Sequence, residues 1–249
     1  MGTRGVLGFR KNGVDKLMYN HFDSYPDGLG KNVVDFIKAT RINEMSAIFD
    51  RIEMIDEDTL PTAQQIEDCK KWTDTSVSTQ STNDWYCLLR KAQFGLNAYY
   101  KEGLKFMLEA NDFIKDSMVC EFGYIINLDD NVLEFYVGNQ DKPQRGNRYG
   151  QESINGYYPC KLIKSYKLVD NPVDWVGDMN KLSNIEDEDE STKNRWDFVD
   201  NSIHDLIVKL NPSKTELKYN GTVVGEIRDV LINYFVNELK ICTEDEFYK

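Results

Sequence analysis

Lys11-Asn12-Gly13 limits the fold of this chain more than any other tripeptide. Asn and Gly tolerate the positive φ that a tight turn between two strands demands. Strand-like runs flank it, Thr3 to Arg10 and Lys16 to His21, and Gly5 and Gly8 permit a bulge or a close backbone approach in the first. The chain is therefore expected to open on a β-hairpin. A second turn, Asp129-Asp130-Asn131, separates the β-rich runs Val119 to Leu128 and Val132 to Val137, which predicts a second hairpin. A further strand is expected within Tyr158 to Leu168, with Pro159 near its start, where a missing N–H does least harm.

Elsewhere the apolar spacing is helical. Val33, Val34, Phe36 and Ile37 give Lys31 to Lys38 one apolar face, and Ile42, Met45, Ile48, Phe49 and Ile52 repeat at helical intervals. The stretch from Ile42 to Gly103 reads as mainly helical, with new starts at Leu60-Pro61-Thr62 and at Asp84, a capping residue. Pro172 is expected to open a helix through Trp175 and Met179. Residues 138–157 form a long polar, glycine-rich loop. The order hairpin, helices, hairpin plus strand, helices predicts an α+β protein with a mainly antiparallel sheet covered by helices, an αββα layering being one form of it. The five acids Glu186 to Glu190 mark a boundary. The expected divisions are a main domain over 1–183, an acidic loop or linker over 184–194, and a C-terminal helical region over 195–249, docked on the main domain.

Charge and cysteine usage exclude several function classes. With 42 acidic against 30 basic residues the formal net charge is −12, and no concentrated basic patch is present, so direct nucleic-acid binding is not expected. No apolar run approaches the ~20 residues of a membrane helix, and no basic-then-apolar leader pattern opens the chain. A soluble, cytoplasmic protein follows. Cys69, Cys87, Cys120, Cys160 and Cys242 lack metal-ligand or disulfide spacing, and His21 and His204 are the only histidines. Reduced, mostly buried thiols are expected, with no metal site and no cofactor.

Chemistry-bearing side chains concentrate at the end of the first hairpin. Tyr19, Asn20, His21, Asp23, Ser24 and Tyr25 lie within seven residues, and the partner strand carries Thr3 and Arg4. On an ideal strand Tyr19, His21 and Asp23 share a face. Asp23 there would orient the imidazole and raise its pKa, making His21 a general base. The other reading is structural: Asn, Asp and Ser satisfy turn amides while Tyr25-Pro26 packs beneath. Arg145 and Arg148, in the long loop, are the remaining candidates for reading an anion.

Gly2-Thr-Arg-Gly5, Tyr19-Asn-His-Phe-Asp-Ser-Tyr-Pro26 and Gly28-Leu-Gly30, with Glu121 to Asp129 and Val132 to Tyr136, resemble a family of uncharacterised proteins of bacteria, their phages and fungi. That resemblance implies a fold and carries no mechanism. A weaker similarity is to the N-terminal nucleophile hydrolases, which implies Thr3 as nucleophile, Arg4 and Asn20 as oxyanion or substrate contacts, and His21 with Asp23 as acid–base support. Gly2 departs from that pattern, because it leaves Thr3 with an amide in place of the free amine that serves as base.

Three functions are compatible with these residues. The leading one is an acidic binding protein whose partner has a basic surface, in the form of a phage accessory protein that inhibits a host defence factor. An amide hydrolase using Thr3, His21 and Asp23 is the second. The third is a binder of small anions through Arg4, Arg145 and Arg148. In the binding readings Tyr19, Asn20, Ser24 and Tyr25 line the recognition pocket.

Overall fold

A computed structural model describes residues 2–168, 174–183, 216–219 and 222–226. The chain divides into two compact units, Met1–Asn184 and Ile185–Lys249. In the first, the Asn-Gly turn does what its chemistry demands: Asn12 has φ 53° and Gly13 φ 75°. They join β1 (Gly5–Lys11) to β2 (Val14–Asn20) in an antiparallel register that runs from Lys11↔Val14 to Gly5↔Asn20. Gly8 serves close approach, since a Cβ there would lie 2.0 Å from the Lys16 carbonyl oxygen across the hairpin.

Helix α1 (Lys31–Ala39) and helix α2 (Ile42–Arg51) follow, then a short strand β3 (Glu53–Ile55). Thr62 caps α3 (Ala63–Cys69) by accepting from the Gln65 amide at 3.3 Å. Asp84 caps α4 (Trp85–Leu89) by accepting from the Tyr86 amide at 2.7 Å. A one-turn α5 (Asn97–Tyr100) precedes β4 (Phe106–Leu108), which pairs in parallel with β3. The stretch 42–103 is mainly helical, as read, with the three-residue β3 inside it, too short to show a period of two, and β4 just beyond it.

The second hairpin is β5 (Phe122–Asn127) with β6 (Val132–Val137), extended by β7 (Lys161–Lys167). β1 lies parallel to β5, so the two hairpins fuse into one five-stranded sheet of order β2-β1-β5-β6-β7. Its other neighbouring pairs are antiparallel. The turns of both hairpins are tied together, because the Asn12 and Gly13 amides donate to the Asp129 carboxylate at 2.6 and 2.9 Å. Helix α6 (Trp175–Ser183) ends the first unit.

Alternation along the strands divides the core. Leu7, Phe9, Met18, Tyr124, Ile126 and Phe135 share one cluster with Val33, Phe36, Met45 and Ile48 of α1 and α2. Val6, Leu17, Ile125 and Tyr136 form the other with Ile114, Cys120 and Cys160. This second face is covered by the irregular segments 109–121 and 138–160. Among the described residues the remaining strand pairs are two-stranded, so the α+β class holds, but a second large sheet for an αββα layering is not formed.

In the second unit, β8 (Glu216–Tyr219) and β9 (Thr222–Glu226) make an antiparallel hairpin that the helical reading of 195–249 did not contain. The acidic run and the amphipathic stretches at 196–210 and 227–239 lie outside the described residues, as does His204. The four described cysteines are free and buried, and Cys242 lies outside. Among the described residues no helix is long and apolar enough to cross a membrane.

Candidate functional site

The opening hairpin does bring Thr3 and the segment 21–24 together: the Ser24 amide donates to the Thr3 carbonyl at 3.2 Å. What gathers there is chiefly a clasp. Asn20 and Ser24 are fully buried, and the Asn20 amide donates to the Ser24 hydroxyl at 2.8 Å and to the Phe22 carbonyl. The Ser24 carbonyl accepts from the buried Tyr124 hydroxyl at 2.9 Å, and the Asp23 carbonyl accepts from the Leu29 amide at 2.8 Å. Tyr25 is exposed, and its carbonyl accepts from the Gly28 amide at 3.0 Å. These bonds fix the path from β2 into α1.

The expected His21–Asp23 pair is not formed. β2 ends at Asn20, and Asp23 takes a left-handed conformation, φ 51°, so strand alternation stops before it can align the two side chains. His21 Nδ1 instead meets the Tyr19 hydroxyl at 2.7 Å. Burial raises the Tyr19 pKa, which keeps the phenol protonated and donating. A neutral His21 that accepts from this phenol at Nδ1 carries its proton on Nε2. Burial, then the charges of Arg90 and Arg4, lower the His21 pKa. That is opposite to the rise an aspartate neighbour would cause.

Thr3 is half-buried and amide-linked through Gly2. A Cβ at Gly2 would lie 2.6 Å from Phe22 Cδ1, so this segment runs tightly across the Phe22 ring. Arg148 is committed elsewhere: its guanidinium donates to both carboxylate oxygens of Glu134 at 2.8 and 2.6 Å. The fork expected to read an anion is therefore satisfied inside the protein. Arg145 is exposed. Arg148 lies by Tyr149 and Asp15 at the Arg10 end of β1, whereas Arg4 precedes the opposite end of that strand, so Arg4 and Arg148 do not share one anion site.

An open cleft of about 390 Å³ does adjoin the clasp, lined among others by Phe22, Asp23, Asp74, Arg90, Lys91 and Phe94. Its construction starts at the Asp84 cap, which sets α4 and the single 3-10 turn Arg90–Ala92 that continues it. The Asp74 amide donates to the Cys87 carbonyl at 2.9 Å, holding residue 74 against the same helix. Arg90 donates to the Gln93 side chain and lies over two rings, 4.9 Å from the Phe22 centroid and 5.6 Å from that of Tyr86. Such stacking orients a guanidinium while leaving its edge to solvent.

Among the described residues Arg4, Arg90 and Lys91 have no carboxylate within ion-pair distance. Hydrogen bonds from the Ser76 hydroxyl and amide, helped by the charges of Lys91 and Arg90, hold the Asp74 carboxyl below its usual range. Both Ser76 bonds fall on Oδ1, and Oδ2 accepts none among the described residues. Phe22 and Phe94 are 49% and 41% exposed. Phe94 is held at φ 74°, a left-handed conformation that a bulky residue rarely takes. Its carbonyl accepts from Asn32 Nδ2 at 3.0 Å.

Of the predicted residues, Asn20 and Asp23 line this cleft, whereas Thr3, Arg4, Tyr19, His21, Ser24, Tyr25, Arg145 and Arg148 do not. Asp74, Arg90, Lys91 and Phe94 escaped the sequence reading. Arg90-Lys91 looks like any solvated helix end, and Phe94-Gly95 was the one local hint of an unusual turn. No protein-family model, no curated protein and no solved structure matches the chain.

Proposed function

We propose that the protein works by binding an anionic ligand in the cleft between the N-terminal clasp and the Arg90–Phe94 turn. The observation that carries this is the pair of cations lining the cleft, Arg90 and Lys91, which have no ion-pair partner among the described residues, beside the part-exposed Phe22 and Phe94, in a chain of net charge −12. Arg90 is held ready by Phe22, Tyr86 and Gln93, so little side-chain entropy is lost when it engages a ligand. Catalysis by Thr3 finds less support: Thr3 lacks a free amine, and Nδ1 of His21 is occupied by Tyr19.

Titration with pyrophosphate, followed by the side-chain NMR signals of Arg90 and His21, tests the reading. Saturable shifts that Arg90→Gln removes are expected. Unchanged signals in the wild-type protein refute it.

The net charge itself favours a second reading, a cytoplasmic interaction protein whose acidic surface meets a basic partner, with a phage-encoded inhibitor of a host defence factor as one form. Capture of a basic partner from host lysate, lost as salt is raised, is the expected result. Capture that is indifferent to salt counts against it.

A further inference from the structure

Resting on the anion-binding reading above, we infer that the ligand of the cleft is a mononucleotide. The cleft continues past Phe94 into a second hollow of about 450 Å³, and the two share Lys91, Gln93 and Phe94. Each hollow has the size of a small-molecule site. A simple inorganic anion would need only cations, yet both sides of the shared wall carry more than that. Phe94, 41% exposed, offers a ring on which a flat base stacks without regard to its identity, while Phe22 beside it already carries Arg90 over its ring. Arg90 and Lys91 offer donors to a phosphate. Asp74 presents an ionised carboxylate with Oδ2 unbonded among the described residues, an acceptor suited to ribose hydroxyls.

The same carboxylates argue against a polymer. Asp23 and Asp74 line the first hollow, and Glu102 lines the second, where it pairs with Lys71. A continuous phosphate backbone crossing both hollows would meet these acids, whereas one compact phosphate group beside Arg90 and Lys91 need not. Phe94 bears on the assignment too. A ring held at φ 74° and left 41% exposed contributes little to the core, so its conformation is paid for without a packing return. Presenting its face between two hollows is what the strained turn achieves. The Asn32 bond to its carbonyl keeps that presentation rigid.

Calorimetric titrations with ADP, adenosine, pyrophosphate and a single-stranded oligonucleotide decide the matter. ADP is expected to bind at least about tenfold more tightly than either adenosine or pyrophosphate, because each of those probes keeps only one half of the recognition. Phe94→Asn, in which the new residue tolerates the left-handed backbone, should remove most of the ADP preference by weakening ADP about tenfold more than pyrophosphate. Arg90→Gln should weaken both. Pyrophosphate binding as tightly as ADP would overturn the nucleotide inference and leave the anion reading standing. Absence of binding by pyrophosphate and ADP alike would overturn both. An oligonucleotide that outcompetes ADP would replace the monomer with a polymer.

Discussion

Substituting Arg148 by Met should destabilise the first unit by about 3 kcal/mol. Glu134 sits on β6 with its side chain 5% exposed, and its carboxylate accepts from Arg148 at 2.8 and 2.6 Å, Asn127 at 2.8 Å and Tyr136 at 3.1 Å. The substitution removes two charge-assisted bonds and leaves a buried carboxylate with Asn127 and Tyr136 alone. Stranding a buried charge costs about 3–5 kcal/mol. The guanidinium is 26% exposed, which lets water replace part of the loss and sets the expectation at the lower end. Met also lacks the guanidinium that lies 5.0 Å over the Tyr149 ring and donates to its hydroxyl at 3.0 Å, which adds to the loss. Glu134→Gln/Arg148→Met, which removes both charges, should recover more than half of the deficit.

The pH dependence makes this prediction harder to satisfy by accident. Burial works to raise the Glu134 pKa, but the bonds from Arg148 and Asn127 and the charge of Arg148 bring it net below the ordinary 4.5. A carboxyl depressed on folding stabilises above its unfolded pKa, and that stability is lost as pH falls below 4.5. Without Arg148 burial dominates and the folded pKa lies above the unfolded one. The variant then gains stability on protonation while the wild type loses it, so the gap between them should close between about pH 7 and pH 4. Urea denaturation across that range measures both curves. A difference below about 1 kcal/mol at pH 7, or one independent of pH, would refute the reasoning.

Three further predictions concern the hairpin and its clasp. Asn20→Ala should cost about 1–3 kcal/mol in urea denaturation, because the Phe22 carbonyl and the buried Ser24 hydroxyl lose their donor; a near-neutral effect would mean that the clasp is ornamental. Gly8→Ala should cost about 3 kcal/mol or more in the same assay, since its Cβ would lie 2.0 Å from a backbone oxygen that cannot move without opening the hairpin; an unchanged midpoint would contradict the close strand approach. In an NMR titration His21 should protonate below 6.5, and Arg90→Gln should move that midpoint upward by removing a neighbouring positive charge. Because the folded pKa is the lower one, the unfolded state binds more protons, and His21 should subtract stability as pH falls through 6.5. A midpoint above 6.5 would overturn the neutral Tyr19–His21 pair.

Local chemistry made the hairpins legible. Asn12-Gly13 and Asn131 adopt the positive φ that their residue types favour, and the strands on either side pair in the register those turns set. Helix α1 was equally readable from Val33, Val34, Phe36 and Ile37. Long-range pairings left no such mark. Nothing in Val6-Leu7 or Gly123-Tyr124 announces that these segments lie side by side in parallel, and β3 and β4 are too short to show a period. The site divided along the same line. Asn20 and Ser24 could be read because they act on neighbouring amides, whereas Arg90 matters only because a helix capped far along the chain carries it over the Phe22 ring.

The contrast between the two polar regions of the sheet bears most directly on function. Around Glu134 the charged groups are paired: Arg148 is forked onto the carboxylate, and Tyr149 donates to Asp15 at 3.0 Å, which in turn holds Arg10 at 2.9 Å. Such a network fastens the 138–160 segment to β6 and β2. At the other end of β2, carboxylates are equally near, yet Asp74 is turned onto Ser76 and Asp23 lies beside Tyr25, and Arg90 and Lys91 remain without an ion pair among the described residues. Satisfied charge is architecture. Charge that is positioned by stacking and a cap but forms no ion pair among the described residues is what the proposed binding site rests on, and Arg90 beside Phe22 is its example.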